Sequence, residues 1–185
     1  DWTLPEPALS SYTDELMEQA EQFSDTAVIV IGRSGGENAD LPTDMYAVIH
    51  GTWDVSKTNA VLDAAKDNNN YTNGRYQNNG DYDDFDQGEH YLQLSNTEED
   101  MIELVCTTFD KVIVVINANN AMELDWVERY DSIGAVILVP GTGASGMEAL
   151  GEIINGTVNP SGRTVDSYVK DLTKTPTWNN FGNYT

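Results

Sequence analysis

Three charged side chains follow closely on an apolar run. In TAVIVIGRSGGENAD, residues 26–40, Arg33, Glu37 and Asp40 set one cation beside two carboxylates. Val28, Ile29, Val30 and Ile31 are consecutive and mostly β-branched, which suits a strand covered on both faces, and Gly32 ends it. Ligands of open α/β sheets are held beyond the carboxyl ends of such strands, so the three residues stand where a site is expected. A surface loop of solvated charges fits them equally. A second apolar strand, Val112 to Ile116, runs into Asn117, Asn119 and Asn120 on the same side of the sheet. These amides could line a cleft, and helix capping explains them as well.

A different chemistry is spelled by Gly141-Thr142-Gly143-Ala144-Ser145-Gly146, which satisfies G-x-G-x-x-G between a strand and a helix. Backbone amides and a helix N-terminus at that spacing would hold a pyrophosphate. Yet the motif follows the last clear strand instead of the first. No acidic residue ends a later strand where a ribose would need it, since Asp166 follows the turn-like NPSGRTV. A glycine-rich turn permitting close packing is the reading preferred over nucleotide binding, and no cofactor is expected.

Positioning these residues falls to a chain of 185 residues, long enough for one domain with a substantial core and short for two. Its 9 basic and 31 acidic residues leave a net charge of −22, which repels nucleic acid and anionic membrane and favours neutral or cationic ligands. Acidity of this kind also serves solubility. Cys106 is the single cysteine, so an internal disulfide or thiolate cluster is impossible, and its apolar helical setting marks it as a small hydrophobe. His50 and His90 lack metal-ligand spacing, and no metal site is expected. No run nears the roughly 20 apolar residues of a membrane span, and DWTLPEPALSS has no signal-peptide layout. Without an initiator methionine, the chain reads as a segment excised from something longer.

In chain order, residues 1–11 form an irregular lead-in. Ser11 or Thr13 can cap a helix carrying Leu16, Met17, Ala20 and Phe23, and the first strand follows. MYAVIHGTW reads as an irregular strand and Val55 to Lys66 as a short helix. Residues 67–88 are rich in Asn, Asp, Gly and Tyr with almost no aliphatics, hence a long loop or insertion. Its Tyr71, Tyr76, Tyr82 and Phe85 lean toward a binding lid. Asn96 or Thr97 can cap a helix whose Glu98, Glu99 and Asp100 complement the helix dipole and whose Met101, Leu104, Val105 and Thr108 form the buried stripe. A third helix spans about Met122 to Tyr130, and Ile133 to Val139 is the third strand. A fourth helix runs from Ala144 to Asn155 with Met147, Leu150, Ile153 and Ile154 inward, and Gly156 is its C-terminal glycine. Residues 164–185 read as an extended polar tail. Strand and helix alternating in this way mean crossover units and a mainly parallel sheet.

These blocks together resemble a known family. Ile-Gly-Arg-Ser-Gly-Gly-Glu-x-x-Asp, then YLQLS with an acidic helix, then KVIVVIN, then IGAVILVPGTGASGMEALGEIINGTVNPSGR are similar to the second domain of glycoside hydrolase family 3. The resemblance covers roughly Thr26 to Arg163 apart from about 43–88, and residues 140–163 are its most specific block. It implies a three-layer αβα sandwich of about six strands, set beside a TIM barrel that this chain does not contain. It also implies hydrolysis of β-linked glucosides, xylosides or related sugars with retention. Many members carry Arg-x-Ser-Gly-Glu-Gly-x-Asp on the sandwich loop with the glutamate as general acid/base, a role that falls here on Glu37, while Gly35 and Asn38 depart from the commonest residues.

Retaining hydrolysis uses two carboxyls about 5 to 5.5 Å apart. In the family the nucleophile is an aspartate of the barrel, so the implied partner is that barrel, the implied ligand is a carbohydrate, and the chain alone is expected to be inactive. The acid/base position wanders between loops in this family, which makes Glu89, in Gly88-Glu89-His90, the alternative to Glu37; otherwise Glu89 is a solvated loop residue. Arg33 would hold Glu37 ionised or contact a sugar hydroxyl, Asp40 would accept hydrogen bonds from Arg33 or substrate, and Asn117 would line the cleft. A non-catalytic sugar-binding or interdomain module and a nucleotide-binding protein are the competing readings. Compartment stays open between bacterial cytoplasm and secretion.

Overall fold

The structure, a computed structural model, describes residues 6–33, 35, 41–52, 78–143 and 145–180. The elements are α1 (Asp14–Phe23), β1 (Thr26–Arg33), α2 (Met45–Ile49), α3 (Asn96–Thr108), β2 (Lys111–Ala118), β3 (Ile133–Leu138), α4 (Met147–Ile154) and α5 (Pro176–Asn180), with 3₁₀ turns at Leu9–Ser11, Asp125–Arg129 and Leu172–Lys174. All three strands are parallel in the order β1-β2-β3, with Ile31 opposite Ile116 and Ile116 opposite Leu138. The class is α/β, as the alternation of strands and helices requires. Three strands, not about six, form the sheet among the described residues.

One face of the sheet carries the main core. Ile29, Ile31, Val112, Val114 and Ile116 meet Met101, Ile102 and Cys106 of α3, together with Leu94, Phe109, Met122 and Trp126. Each such aliphatic side chain contributes roughly 1.5 to 3 kcal/mol by leaving water. Cys106 is buried among them and burial pushes its thiol up, as suits a packing residue. The other face of β1 is open: Val28 is 45% exposed and Val30 54%. The run Val28 to Ile31 is therefore covered on one face and not two. A continuous β-branched run reports strand propensity and carries no mark of which face a helix will cover.

Local chemistry moved several boundaries. Thr13 caps α1 by accepting the Leu16 amide proton, and Leu16 and Phe23 of that helix face water while Met17 and Ala20 lie against the core. MYAVIHGTW holds a short helix where a strand was expected, because Asp44 accepts the Ala47 amide at 2.9 Å and nucleates the turn. Ser95, one residue before the expected caps, starts α3 in a full capping box with Glu98. The expected helix at 122–130 is only the 3₁₀ turn Asp125–Arg129. In α4, Leu150 is buried but Met147 points outward, and Gly156 follows the helix with φ +78° as a left-handed terminator. The tail carries a 3₁₀ turn and α5 where extended chain was expected.

The described part of the polar stretch, 78–88, is tied down. Phe85 is 1% exposed and packs in a second cluster with Met45, Val48 and Tyr91, so it belongs to the interior and not to a lid. Asp84 is fully buried: its carboxylate accepts from the Asn79 amide and the Thr97 hydroxyl, and its carbonyl accepts from the Asn96 amide at 2.7 Å. The Tyr82 hydroxyl donates to Asp100, and partial burial with that contact pushes the phenol up to about 12. Val55 to Lys66, Tyr71 and Tyr76 lie outside the described residues.

Candidate functional site at the carboxyl edge of the sheet

The three strands end side by side. Gly32 stands opposite Asn117, Arg33 opposite Ala118, and Ile116 opposite Leu138, so the chain leaving β1 emerges next to the end of β2. Glu37 and Asp40 lie outside the described residues.

Arg33 is 8% exposed and turned onto the covered face. Nε donates to the Tyr91 carbonyl at 2.7 Å. Nη1 donates to the Gly32 carbonyl at 2.8 Å and to Glu98 Oε1 at 2.6 Å. Nη2 donates to the Gln93 carbonyl at 2.7 Å and to Glu98 Oε2 at 2.5 Å. The guanidinium carbon also lies 5.4 Å from the centre of the Tyr91 ring. Among the described residues the guanidinium makes a forked pair with Glu98 and donates to three carbonyls; Glu37, its expected partner, lies outside them.

Glu98 escaped sequence reasoning, although its signal was present. Ser95 three residues earlier completes the S-x-x-E signature, and reading Asn96 or Thr97 as the cap left Glu98 a generic dipole partner. His90 was likewise noted only for lacking a metal partner. It is 1% exposed, with Nε2 3.1 Å from Glu123.

Glu89 is hydrogen-bonded to the start of α2, beside the Met45 cluster. Its carbonyl accepts the Met45 amide at 2.7 Å, and its Oε2 accepts the Asp86 amide at 2.6 Å. Burial pushes its carboxyl above the usual range, the Asp86 amide opposing. Asn117 is exposed at the end of β2. Asn119 Nδ2 donates to the Gly35 carbonyl at 3.3 Å, and a Cβ at Gly35 would stand 2.4 Å from the Asn120 amide oxygen. The two asparagines thus brace the chain two residues beyond Arg33, a use distinct from the helix capping that also fitted them.

The glycine-rich turn has a backbone explanation. Gly141 and Gly143 adopt φ of +56° and +59°, and the Gly146 amide donates to the Thr142 carbonyl at 3.1 Å. A Cβ at Gly146 would lie 2.5 Å from that carbonyl oxygen, so the turn closes only on glycine. Among the described residues no cluster of His, Cys, Asp or Glu is arranged to hold a metal ion. No described helix is long and apolar enough to cross a membrane.

With the site in view, comparison with known proteins places the chain. Residues 8–185 match the model of the Glycosyl hydrolase family 3 C-terminal domain. The chain belongs to this family. It is 29% identical over 178 residues to Beta-glucosidase A of Butyrivibrio fibrisolvens, an alignment covering 96% of this chain and 18% of that protein. It is 24% identical over 170 residues to Beta-glucosidase of Ruminococcus albus, covering 92% and 13%. Thermostable beta-glucosidase B of Acetivibrio thermocellus matches over 91 residues at 25% identity, 49% of this chain and 12% of that one. The chain thus spans less than a fifth of the first two relatives. No solved structure matches it significantly.

Proposed function

We propose that the chain is the second domain of a retaining β-glycosidase of β-glucosidase type, acting on terminal β-linked sugars, and that Glu37 is its general acid/base. The observation that carries this reading is the match of almost the whole chain to a small part of proteins named as β-glucosidases. In the proposed arrangement a TIM barrel elsewhere in the same polypeptide holds the sugar and brings the nucleophilic aspartate. Completion of the sheet toward six strands in three layers would draw on that same longer chain, which would also cover Val28 and Val30.

The chemistry asks little of this domain beyond a carboxyl in the right place. Glu37 first gives its proton to the departing glycosidic oxygen, then takes one from the water that releases the sugar from the nucleophile. Closing the sugar over such a group removes water from it and favours the protonated form needed for the first step. Asp40 and Asn117 are proposed to hydrogen-bond the sugar from the loop and from the end of β2.

The test is Glu37→Gln in the full-length enzyme. General acid/base assistance is worth about 10²- to 10⁴-fold, so hydrolysis of a substrate with a poor leaving group falls by that order. Azide restores turnover of an activated aryl glycoside, giving the glycosyl azide. An unchanged rate removes Glu37 from the mechanism and returns the reading to a non-catalytic interdomain module, which the inward commitment of Arg33 also fits.

A further inference from the structure

We infer that Glu98 is a positioning residue that acts through Arg33 on the chain leaving β1, an inference that rests on the reading of Glu37 as the proton donor. A glutamate at the third helical position of a capping box ordinarily turns back to its own N-cap amide and does no more. Glu98 does this, accepting from the Ser95 amide at 2.8 Å, and also receives both terminal nitrogens of Arg33. One carboxylate therefore joins the start of α3 to the last residue of β1.

The pair is enclosed, with side chains 5% and 11% exposed, so water screens it little and the fork fixes the plane of the guanidinium. Arg33 also donates to the Gly32, Tyr91 and Gln93 carbonyls. Turning the end of β1 about its axis would break all of these contacts. Two residues later the Gly35 carbonyl is held by Asn119, and its Cα lies against Asn120. The direction in which the chain leaves the sheet is thus set from below by Glu98 and from beside by the end of β2. Stability alone does not call for an ion pair here, because buried pairs gain little over apolar residues of equal volume. What the fork adds is direction, and Glu37 begins four residues after it.

The experiment uses the full-length polypeptide. Glu98→Gln keeps the side-chain shape and removes the charge that grips both prongs. Displacements of about 1 Å at a reacting group can cost on the order of 100-fold. The expected result is a fall in kcat on an unactivated β-glucoside of about tenfold or more, KM within about twofold, and a shifted alkaline limb of the pH–rate profile. In the Glu37→Gln background the same substitution adds no further loss. Ser95→Ala removes the cap oxygen and leaves the Arg33–Glu98 pair, so it lowers Tm without changing kcat. If Glu98→Gln does not fold, Arg33→Lys is read in the same way, since lysine keeps the charge and loses the fork. A variant with lowered Tm but unchanged kcat, KM and pH profile overturns the inference, as does a loss that adds in full to that of Glu37→Gln. An unchanged rate for Glu37→Gln itself brings down the proton-donor reading and the inference with it.

Discussion

His90 and Glu123 meet in the interior, imidazole Nε2 to carboxylate Oε1 at 3.1 Å. The Leu92 amide donates to Nδ1 at 3.1 Å, which leaves the ring hydrogen on Nε2 and makes His90 the donor to Glu123. The same carboxylate oxygen accepts the Leu172 amide, and the Trp178 ring lies 4.8 Å from the imidazole. Through one side chain the segment before α3 is fastened to the C-terminal turns.

Glu123→Ala strands two donors, the His90 ring N–H and the Leu172 amide. An unsatisfied buried donor costs about 1 to 3 kcal/mol, so the variant is expected to lose about 3 kcal/mol in denaturant unfolding. Limited proteolysis should cut the released C-terminal segment sooner than in the parent. Glu123→Gln retains an accepting oxygen and should lose less than half as much.

Glu89 gives a pH-dependent signature. Burial raises its carboxyl above the unfolded value, so at low pH both states are protonated and the group contributes nothing. As pH rises the unfolded chain ionises first, and the native state carries the penalty from there upward. Glu89→Gln therefore raises Tm at pH 7 and leaves it unchanged near pH 3. The side chain is partly in water, which limits the gain to less than about 1 kcal/mol. If Glu37 is the acid/base, the same variant of the full-length enzyme retains its rate.

Glycines in and after the 141–146 turn respond in opposite directions to a methyl group. Gly143 sits at φ +59°, and Gly143→Ala should cost about 1 kcal/mol. Gly151, inside α4, has nothing within 4 Å of an added Cβ, and Gly151→Ala should gain about 0.5 to 1 kcal/mol. Both are read by thermal unfolding. Calorimetric titration with NAD or ATP is expected to give no binding heat, as the turn's glycines answer to its own backbone.

The 185-residue chain by itself is expected not to hydrolyse an aryl β-glucoside, because retaining hydrolysis needs a second carboxyl that the proposed division of labour assigns to the barrel. Turnover by the isolated domain, lost on Glu37→Gln, would contradict that division.

The strands were legible because their signal is local. Thr26–Arg33, Lys111–Ala118 and Ile133–Leu138 each contain an uninterrupted aliphatic run, and their spacing by helical stretches dictated parallel pairing. What the sequence hid depends on partners far along the chain. That Arg33 turns inward is decided by Glu98, 65 positions away, and that His90 is interior is decided by Glu123, 33 positions away. Short elements were misjudged for a related reason. Asp44 outweighs the strand propensity of the residues after it, and α5 at Pro176–Asn180 is too brief to show a period. The family was readable from its blocks, whereas the positions of Glu37 and Asp40 rest on register alone.

The pairing of β1 with β2 also governs how the domain comes into being. Asp25 and Lys111, joined at the head of that ladder, are 86 positions apart. During synthesis β1 must wait for all of the intervening chain before its partner exists, and the loop to be closed is long. Nascent β1, apolar and edge-exposed, is then the segment on which a chaperone would act, and slow collapse of this ladder should set the rate at which the domain acquires its core.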